Sequence, residues 1–206
     1  MIKNNNEYWN NFYKKFNTCE ESNFARFVYK YISKLKNVKL LDVACGNGRD
    51  TFYFRKNAID AEGVDISRTA IKKNKLISDF FYIKNVCKKK IFFKKKYNVI
   101  YARFFLHAIN EKQENIFFKN LKKIATKNSK IFLEFRTDKD PLINKGIKIS
   151  KNERFYTHYR RFINVSNFKV KVLKNKFKVI KIISSSNFAL FKGQKPNICR
   201  AILLLK

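Results

Sequence analysis

From residue 38 to residue 135 the chain alternates short apolar runs with longer stretches whose apolar residues recur at helical spacing, and this alternation constrains the fold most. Residues 38–43 (VKLLDV) read as a buried strand, and residues 50–57 follow with helical spacing. A second strand lies within 59–66 and a second helix over 69–76. Residues 80–86 (FFYIKNV) and 97–104 (YNVIYARF) read as the third and fourth strands. A helix over 112–125 and a fifth strand over 130–135 (KIFLEF) complete the series. Strands that alternate with helices build a parallel sheet covered on both faces. A short helix over 166–174 then precedes two runs, 177–184 and 198–205, that read as a terminal pair containing the one antiparallel member. The expectation is an α/β chain with a doubly wound, seven-stranded, mostly parallel sheet and helices on both faces.

Two stretches fall outside the alternation. Residues 1–35 read as a helical cap, in which Tyr8, Trp9, Phe12, Tyr13 and Phe16 recur at helical spacing. Residues 137–165 are polar, contain Pro141 and Gly146, and are long for a plain connection, which marks a candidate substrate lid. No internal repeat or boundary divides the chain, so its 206 residues are read as a single domain.

Composition narrows the partners. Hydrophobic residues at 45% and aromatic residues at 16% exclude global disorder. The 47 Lys and Arg outnumber 15 Asp and Glu, a formal net charge of +32. Such a surplus suits a polyanion binder. It equally suits a coding bias, since Lys, Asn, Ile, Phe and Tyr are all A/T-rich-codon residues and the lysines are scattered over what reads as a solvated surface. Cys19, Cys45, Cys87 and Cys199 form no C-x-x-C pair, so neither a metal site nor a disulfide framework is expected. The polar start of the chain and the absence of a long apolar run point to a cytoplasmic protein that does not engage a membrane.

Chemistry concentrates in residues 41–51, LDVACGNGRDT. A strand ends at Asp42 and Val43, the chain turns through Gly46 and Gly48, and a helix begins. Glycine permits such a turn and lets a ligand approach the main chain. In open parallel sheets ligands bind at the carboxyl ends of the strands, near the topological switch point. The G-x-G-x-x-G nicotinamide fingerprint fails here, because Ala44 and Arg49 stand at two of its three glycine positions. A phosphate-binding G-x-x-x-x-G-K-[ST] is absent.

Asp42-Val43-Ala44-Cys45-Gly46-Asn47-Gly48 resembles the first motif of class I S-adenosylmethionine-dependent methyltransferases, acid-x-Gly-x-Gly-x-Gly, with Ala44 in place of the first Gly. A second acid follows in Gly63-Val64-Asp65-Ile66. The resemblance spans residues 5–206 and implies a Rossmann-like fold with S-adenosylmethionine as cofactor. It places the cofactor across Asp42, Ala44, Cys45, Gly46 and Gly48, its ribose on Asp65, and its adenine near Ile66, Asn85 and Val86. A carboxylate can accept from both ribose hydroxyls, each hydrogen bond to a charged group contributing about 1.5–3 kcal/mol. Asn85 departs from the Asp often found after the third strand, although its side-chain oxygen also accepts. The same residues have plainer readings: Asp65 ahead of a Ser67 helix cap, and Asn85 in a turn. In similar enzymes an N-terminal aromatic helix closes over the cofactor, which assigns that role to Tyr8 and its neighbours; the same spacing suits a core-facing stripe.

Residues 97–109 (YNVIYARFFLHAI) lack lysine and resemble the fourth motif of small-molecule methyltransferases, where a Leu-His turn lies near the transferred methyl group. His107 is thus a candidate general base or acceptor-orienting group, and equally a buried structural histidine. Arg103, within an apolar run, needs a partner, either Glu134 or an anionic substrate. Arg136, Arg160 and Arg161 recur in a chain poor in arginine, and guanidinium forks bind phosphate or carboxylate. The expected acceptor is a small anionic metabolite: phosphorylated, carboxylated or nucleotide-linked. Arg103, His107, Arg136, Tyr159 and Arg160 are its candidate ligands, with His107, Arg103 and Tyr159 the candidate catalytic groups. If the acceptor atom is a hydroxyl, His107 or Tyr159 must act as base; if it is a carboxylate or phosphate oxygen, no base is needed. Nucleic acid is not favoured: residues 98–101 lack the prolines of base-amino methyltransferases, and no cysteine stands in a Pro-Cys or Thr-Cys context after the fourth or fifth strand. An RNA methyltransferase and a non-catalytic binding module are the alternatives. Nothing in the sequence sets the number of subunits.

Overall fold

A computed structural model describes residues 5–15, 20–190 and 193–206; Phe16 and Cys19 lie outside them. Helices α1 (Asn5–Lys15) and α2 (Asn23–Ile32) precede an alternating series. The series comprises β1 (Lys39–Val43), α3 (Arg49–Lys56), β2 (Asp60–Asp65), α4 (Arg68–Lys75), β3 (Phe81–Ile83), β4 (Tyr97–Arg103), α5 (Glu111–Ile124) and β5 (Ala125–Arg136). Three short strands, β6 (Ile147–Ser150), β7 (Glu153–Tyr156) and β8 (His158–Arg161), lead to α6 (Val165–Lys174), β9 (Phe177–Ser185) and β10 (Ile198–Leu205). The seven-stranded sheet runs β3-β2-β1-β4-β5-β10-β9, with β10 antiparallel to both neighbours. The expected doubly wound, mostly parallel sheet is therefore present. Among the described residues no helix is long and apolar enough to cross a membrane.

Adjacent side chains of β1 leave the strand on opposite faces. Leu40 packs with Phe24, Val28 and Ile32 of α2 and Phe54 of α3. Leu41 packs with Phe117, Phe118 and Leu121 of α5. A strand buried on both faces has no room for polar alternation, which is why it reads as a continuous apolar run. Helices α2, α4, α5 and α6 start on polar caps: the Ser22 side chain accepts from Ala25 N at α2, and Asn110 with Gln113 forms a capping box at α5.

Two boundaries differ from expectation. β5 begins at Ala125 rather than 130, because the polar residues Thr126 and Ser129 bond each other and Ser129 Oγ donates to Tyr97 O at 3.0 Å. β3 ends at Ile83 because Asn85 turns the chain, its Oδ1 accepting from Cys87 N at 2.9 Å. Residues 147–161, inside the stretch read as a candidate lid, form a three-stranded antiparallel sheet, β6-β7-β8. β6 is exposed along its whole length, so no apolar alternation announces it.

Glu134 of β5 lies directly across from Arg103 of β4 and Arg200 of β10. Its buried carboxylate accepts from Arg103 Nε at 3.1 Å and from Arg200 Nε at 2.8 Å. One carboxylate thus joins three neighbouring strands. Replacing it by Ala leaves two guanidinium groups in the interior without it. Glu134→Ala is expected to lower the unfolding free energy by about 3 kcal/mol in urea titrations; a loss below about 1 kcal/mol, the range of an exposed pair, would show that the triad carries no weight.

Candidate active site

The loop after β1 turns through left-handed backbone at Ala44 (φ 59°), Gly46 (φ 55°) and Gly48 (φ 76°). Gly48 must be glycine on a second count, since a Cβ there would lie 2.7 Å from the Phe81 ring. Ala44 takes a conformation that costs a side-chain-bearing residue about 1–2 kcal/mol. Phe104, just beyond β4, is likewise left-handed at φ 55°. Such strain collects where a fold over-determines its backbone, commonly at a site. The loop is pinned from three elements. Gly46 N donates to Asp65 Oδ2 at 2.9 Å, Asn74 Nδ2 donates to Gly46 O at 2.9 Å, and Thr51 Oγ1 donates to Asp42 Oδ2 at 2.6 Å.

A cavity of about 550 Å³ opens at the carboxyl ends of β1, β2, β4 and β5. That is the size of a small-molecule site, and it lies at the switch between β1 and β4. Its lining carries both charges: Asp42 and Asp65 at the ends of β1 and β2 and Asp50 of α3 stand with Arg49 and Lys84, and Arg103, Arg136 and Arg160 of β4, β5 and β8 stand with Glu134. Aromatic residues of α1, among them Tyr8, Trp9 and Tyr13, form a further wall. Asn10 fastens that helix to α4, its Oδ1 accepting from Ser67 Oγ at 2.9 Å and Thr69 N at 3.2 Å.

Burial, then the neighbouring Asp50, pushes the Asp42 carboxyl well above its ordinary range. Burial also raises Asp65, against the pull of its hydrogen bonds from Ser67 N and Gly46 N. Two buried carboxyls whose ionisation is opposed in this way would be relieved by a cationic ligand.

The sequence-predicted residues are distributed as follows. Asp42, Ala44, Cys45, Asp65, Ile66, Asn85, Val86 and Tyr8 all line the cavity. Gly46 and Gly48 shape the loop instead, and Asn47 takes the cavity-facing place between them. Asp65 is also what its plainer reading made it, for Ser67 caps α4 and donates its N–H to Asp65 Oδ1 at 2.7 Å. Arg103, His107, Arg136 and Arg160 come together on the basic side. Arg103 is paired with Glu134, and Arg136 with Asp140 at 2.7 Å. Among the described residues Arg160 has no ion pair; it donates to Tyr156 O at 2.7 Å, and burial and Arg136 lower its pKa.

Tyr159 is a correction. Strand β8 alternates, so His158 and Arg160 face the cavity while Tyr159 turns away and donates its hydroxyl to Glu153. Arg161, two residues on, shares the face of Tyr159 and pairs with Glu114 at 3.1 Å. The base role for His107 is also corrected. Its Nδ1 accepts from Arg136 N at 3.2 Å, so in the neutral ring the proton sits on Nε2. Burial, then Arg136 and Arg160, hold its pKa well below the ordinary value.

Sequence reasoning missed a cluster behind the loop. Asp50 accepts from Ser22 N at 2.7 Å, Ser22 Oγ at 2.8 Å and the Tyr101 hydroxyl at 2.7 Å, which locks α2, α3 and β4 together beside the cavity. An acid one residue into α3 was its only signal. His158, within the polar stretch 137–165, is a further such residue; its ring lies against Tyr8 with centroids 4.4 Å apart.

A family model described as a methyltransferase domain matches residues 13–182. No curated protein sequence matches the chain. Among solved structures the chain is similar to a glycopeptide N-methyltransferase, MtfA, with a TM-score of 0.70 at 10% identity, covering 91% of this chain and 97% of that one. It is similar to a SAM-dependent methyltransferase from Methanosarcina mazei, TM-score 0.73 at 10% identity, covering 87% and 96%. It also resembles the PH0226 protein of Pyrococcus horikoshii OT3, TM-score 0.72 at 17% identity, covering 95% and 99%.

The two histidines make a pH prediction. Burial, then Arg160, lowers His158 to about 3. The folded state therefore holds fewer protons than the unfolded chain below the free-histidine value of about 6.5, and loses stability as the pH falls through that window. The slope is about 1.4 kcal/mol per pH unit for each such histidine. His158→Gln should remove about 2 kcal/mol of the stability difference between neutral pH and pH ~5 in urea unfolding; an unchanged difference would contradict the neutral assignment.

Proposed function

The chain belongs to the methyltransferase-domain family, and from that premise we propose that it transfers the methyl group of S-adenosylmethionine to a small anionic metabolite. The observation that carries this reading is one cavity that holds the buried carboxyls of Asp42 and Asp65 at the ends of β1 and β2 and the guanidinium groups of Arg103, Arg136 and Arg160 at β4, β5 and β8. MtfA is known in complexes with S-adenosylmethionine, S-adenosylhomocysteine and sinefungin.

The acidic side fits the cofactor. When bound, the cofactor supplies an electrophilic methyl carbon on a cationic sulfur. Asp42 and Asp65 offer that cation, and its amino group, two buried carboxyls that lack a basic partner of their own among the described ion pairs. Asp65 is the residue we assign to the ribose hydroxyls. Both its oxygens already accept a main-chain N–H, which fixes the carboxylate before a ligand arrives. Ile66, Asn85 and Val86 form the adenine end. Asn120 Nδ2 donates to Val86 O at 2.8 Å and holds that segment in place.

The basic side is the acceptor side. Arg160 and Arg136 orient the anion, while Arg103, held by Glu134, supports the floor. We further propose one methyltransferase domain over 1–206, in which 1–35 cap the cofactor and 137–165 wall the acceptor. Much of the rate then comes from positioning, because two bound reactants behave as one molecule. Enclosure by α1 and β8 keeps water from the reacting atoms.

Calorimetric titration with S-adenosylhomocysteine checks the cofactor half. The account expects saturable binding by the native protein and at least about tenfold weaker binding by Asp65→Ala, the loss of one hydrogen bond to a charged group. Equal affinities would overturn the assignment of Asp65.

A further inference from the structure

The methyl acceptor must become a nucleophile inside this cavity, and the side chains around it restrict how. A hydroxyl has to lose a proton as it is methylated, and so does an ammonium group beforehand. Among the described residues, the candidate bases at the acceptor side already have hydrogen-bond partners. His107 has committed Nδ1 to the N–H of Arg136 and carries its proton on Nε2. His158 lies against Tyr8, and its Nδ1 is 3.1 Å from Thr157 Oγ1. Glu134 is shared by Arg103 and Arg200, and Asp140 receives Arg136 and the N–H of Leu142. Tyr159 faces away, bonded to Glu153.

The charge balance restricts the acceptor from the other direction. Arg103 and Arg136 each have an acid in direct contact, and among the described residues Arg160 has none, Asp140 acting on it only from a distance. Its guanidinium is half-buried beside that of Arg136. A cationic amine is repelled from such a place, and an uncharged aromatic nitrogen or alcohol leaves the guanidinium unneutralised. An oxyanion satisfies both conditions: it pairs with Arg160, in the planar two-point geometry guanidinium favours, and it brings its own nucleophilic lone pair.

We propose that the atom methylated is an oxygen of a carboxylate or phosphate group held ionised by Arg160 and Arg136, and that no protein base takes part. This rests on the methyl-transfer reading above. A lone pair of the acceptor oxygen forms the new C–O bond as the C–S bond breaks, and the electron pair of that bond stays on sulfur. No proton moves; the negative charge of the acceptor and the positive charge of the sulfonium disappear together. His107 is then a positioning residue, keeping the Arg136 main chain in place through Nδ1.

The test uses the full chain, S-adenosylmethionine carrying a ¹³C methyl group, and the small-molecule filtrate of the cells from which the protein comes. Binding of S-adenosylhomocysteine is measured on the same preparation. The expected product carries its label in one of two forms. Release as methanol in mild alkali marks a carboxylate ester, and a ¹³C–³¹P splitting marks a phosphate ester. A label that resists alkali and shows no phosphorus splitting, as on an amine, thiol or alcohol, overturns the oxyanion proposal while leaving methyl transfer intact. Failure to bind S-adenosylhomocysteine and to incorporate label overturns the underlying reading, and this proposal with it.

Discussion

The carboxylate of Glu134 is shared between Arg103 and Arg200, and the architecture of the basic half of the cavity follows from it. The three residues stand in register on β4, β5 and β10, the place where the parallel sheet meets its antiparallel strand. A buried carboxylate with two guanidinium partners is stable only where both stay close, so the strand ends are held in fixed relation. Arg103 is carried to the cavity floor with its Nε occupied, and it stacks on Phe104 at 4.2 Å. Phe104 N donates to Glu134 O at 2.8 Å, which fixes the left-handed turn that sends the chain on to His107. One ion triad therefore positions the floor, the turn and the histidine.

The acidic half is built differently, its carboxylates held by main-chain amides and hydroxyls, with Arg49 lying 3.8 Å from Asp50. Asp65 takes Gly46 N and Ser67 N, and Asp50 takes Ser22 N along with two hydroxyls. Amide dipoles orient a carboxylate without cancelling its charge. Guanidinium groups do cancel charge, and among the described residues Arg160 stands beside Arg136 in no ion pair of its own. The cavity thus holds both kinds of charge within one enclosure, the arrangement that the proposed transfer from a sulfonium to an anion would use.

Much of this was legible in the residues. The alternation of apolar runs fixed the parallel sheet because strands buried on both faces cannot hide polar residues. The loop from Asp42 to Gly48 and the acid at Asp65 placed one end of the cavity, since glycine turns and strand-end carboxylates have few other uses together. Arg103 in an apolar run demanded a partner, and Glu134 is that partner. Other features left no local trace. The Asp50 cluster joins residues far apart in the chain, and only the fold brings Ser22 and Tyr101 to it. The tautomer of His107 depends on an N–H of β5, which a sequence does not display. Tyr159 beside Arg160 looked like one site; the period of a strand that lacked any apolar signature divides the two.

The central claim is that the two halves of the cavity serve different ligands, and Arg160→Ala tests it most directly. Affinity for S-adenosylhomocysteine and transfer of labelled methyl into the small-molecule filtrate should be measured on the same protein. The account predicts an affinity within about twofold of the native value and transfer reduced at least about tenfold, the cost of one charged hydrogen bond to the acceptor. Transfer at the native rate, or a loss of transfer matched by an equal loss of affinity, would contradict it.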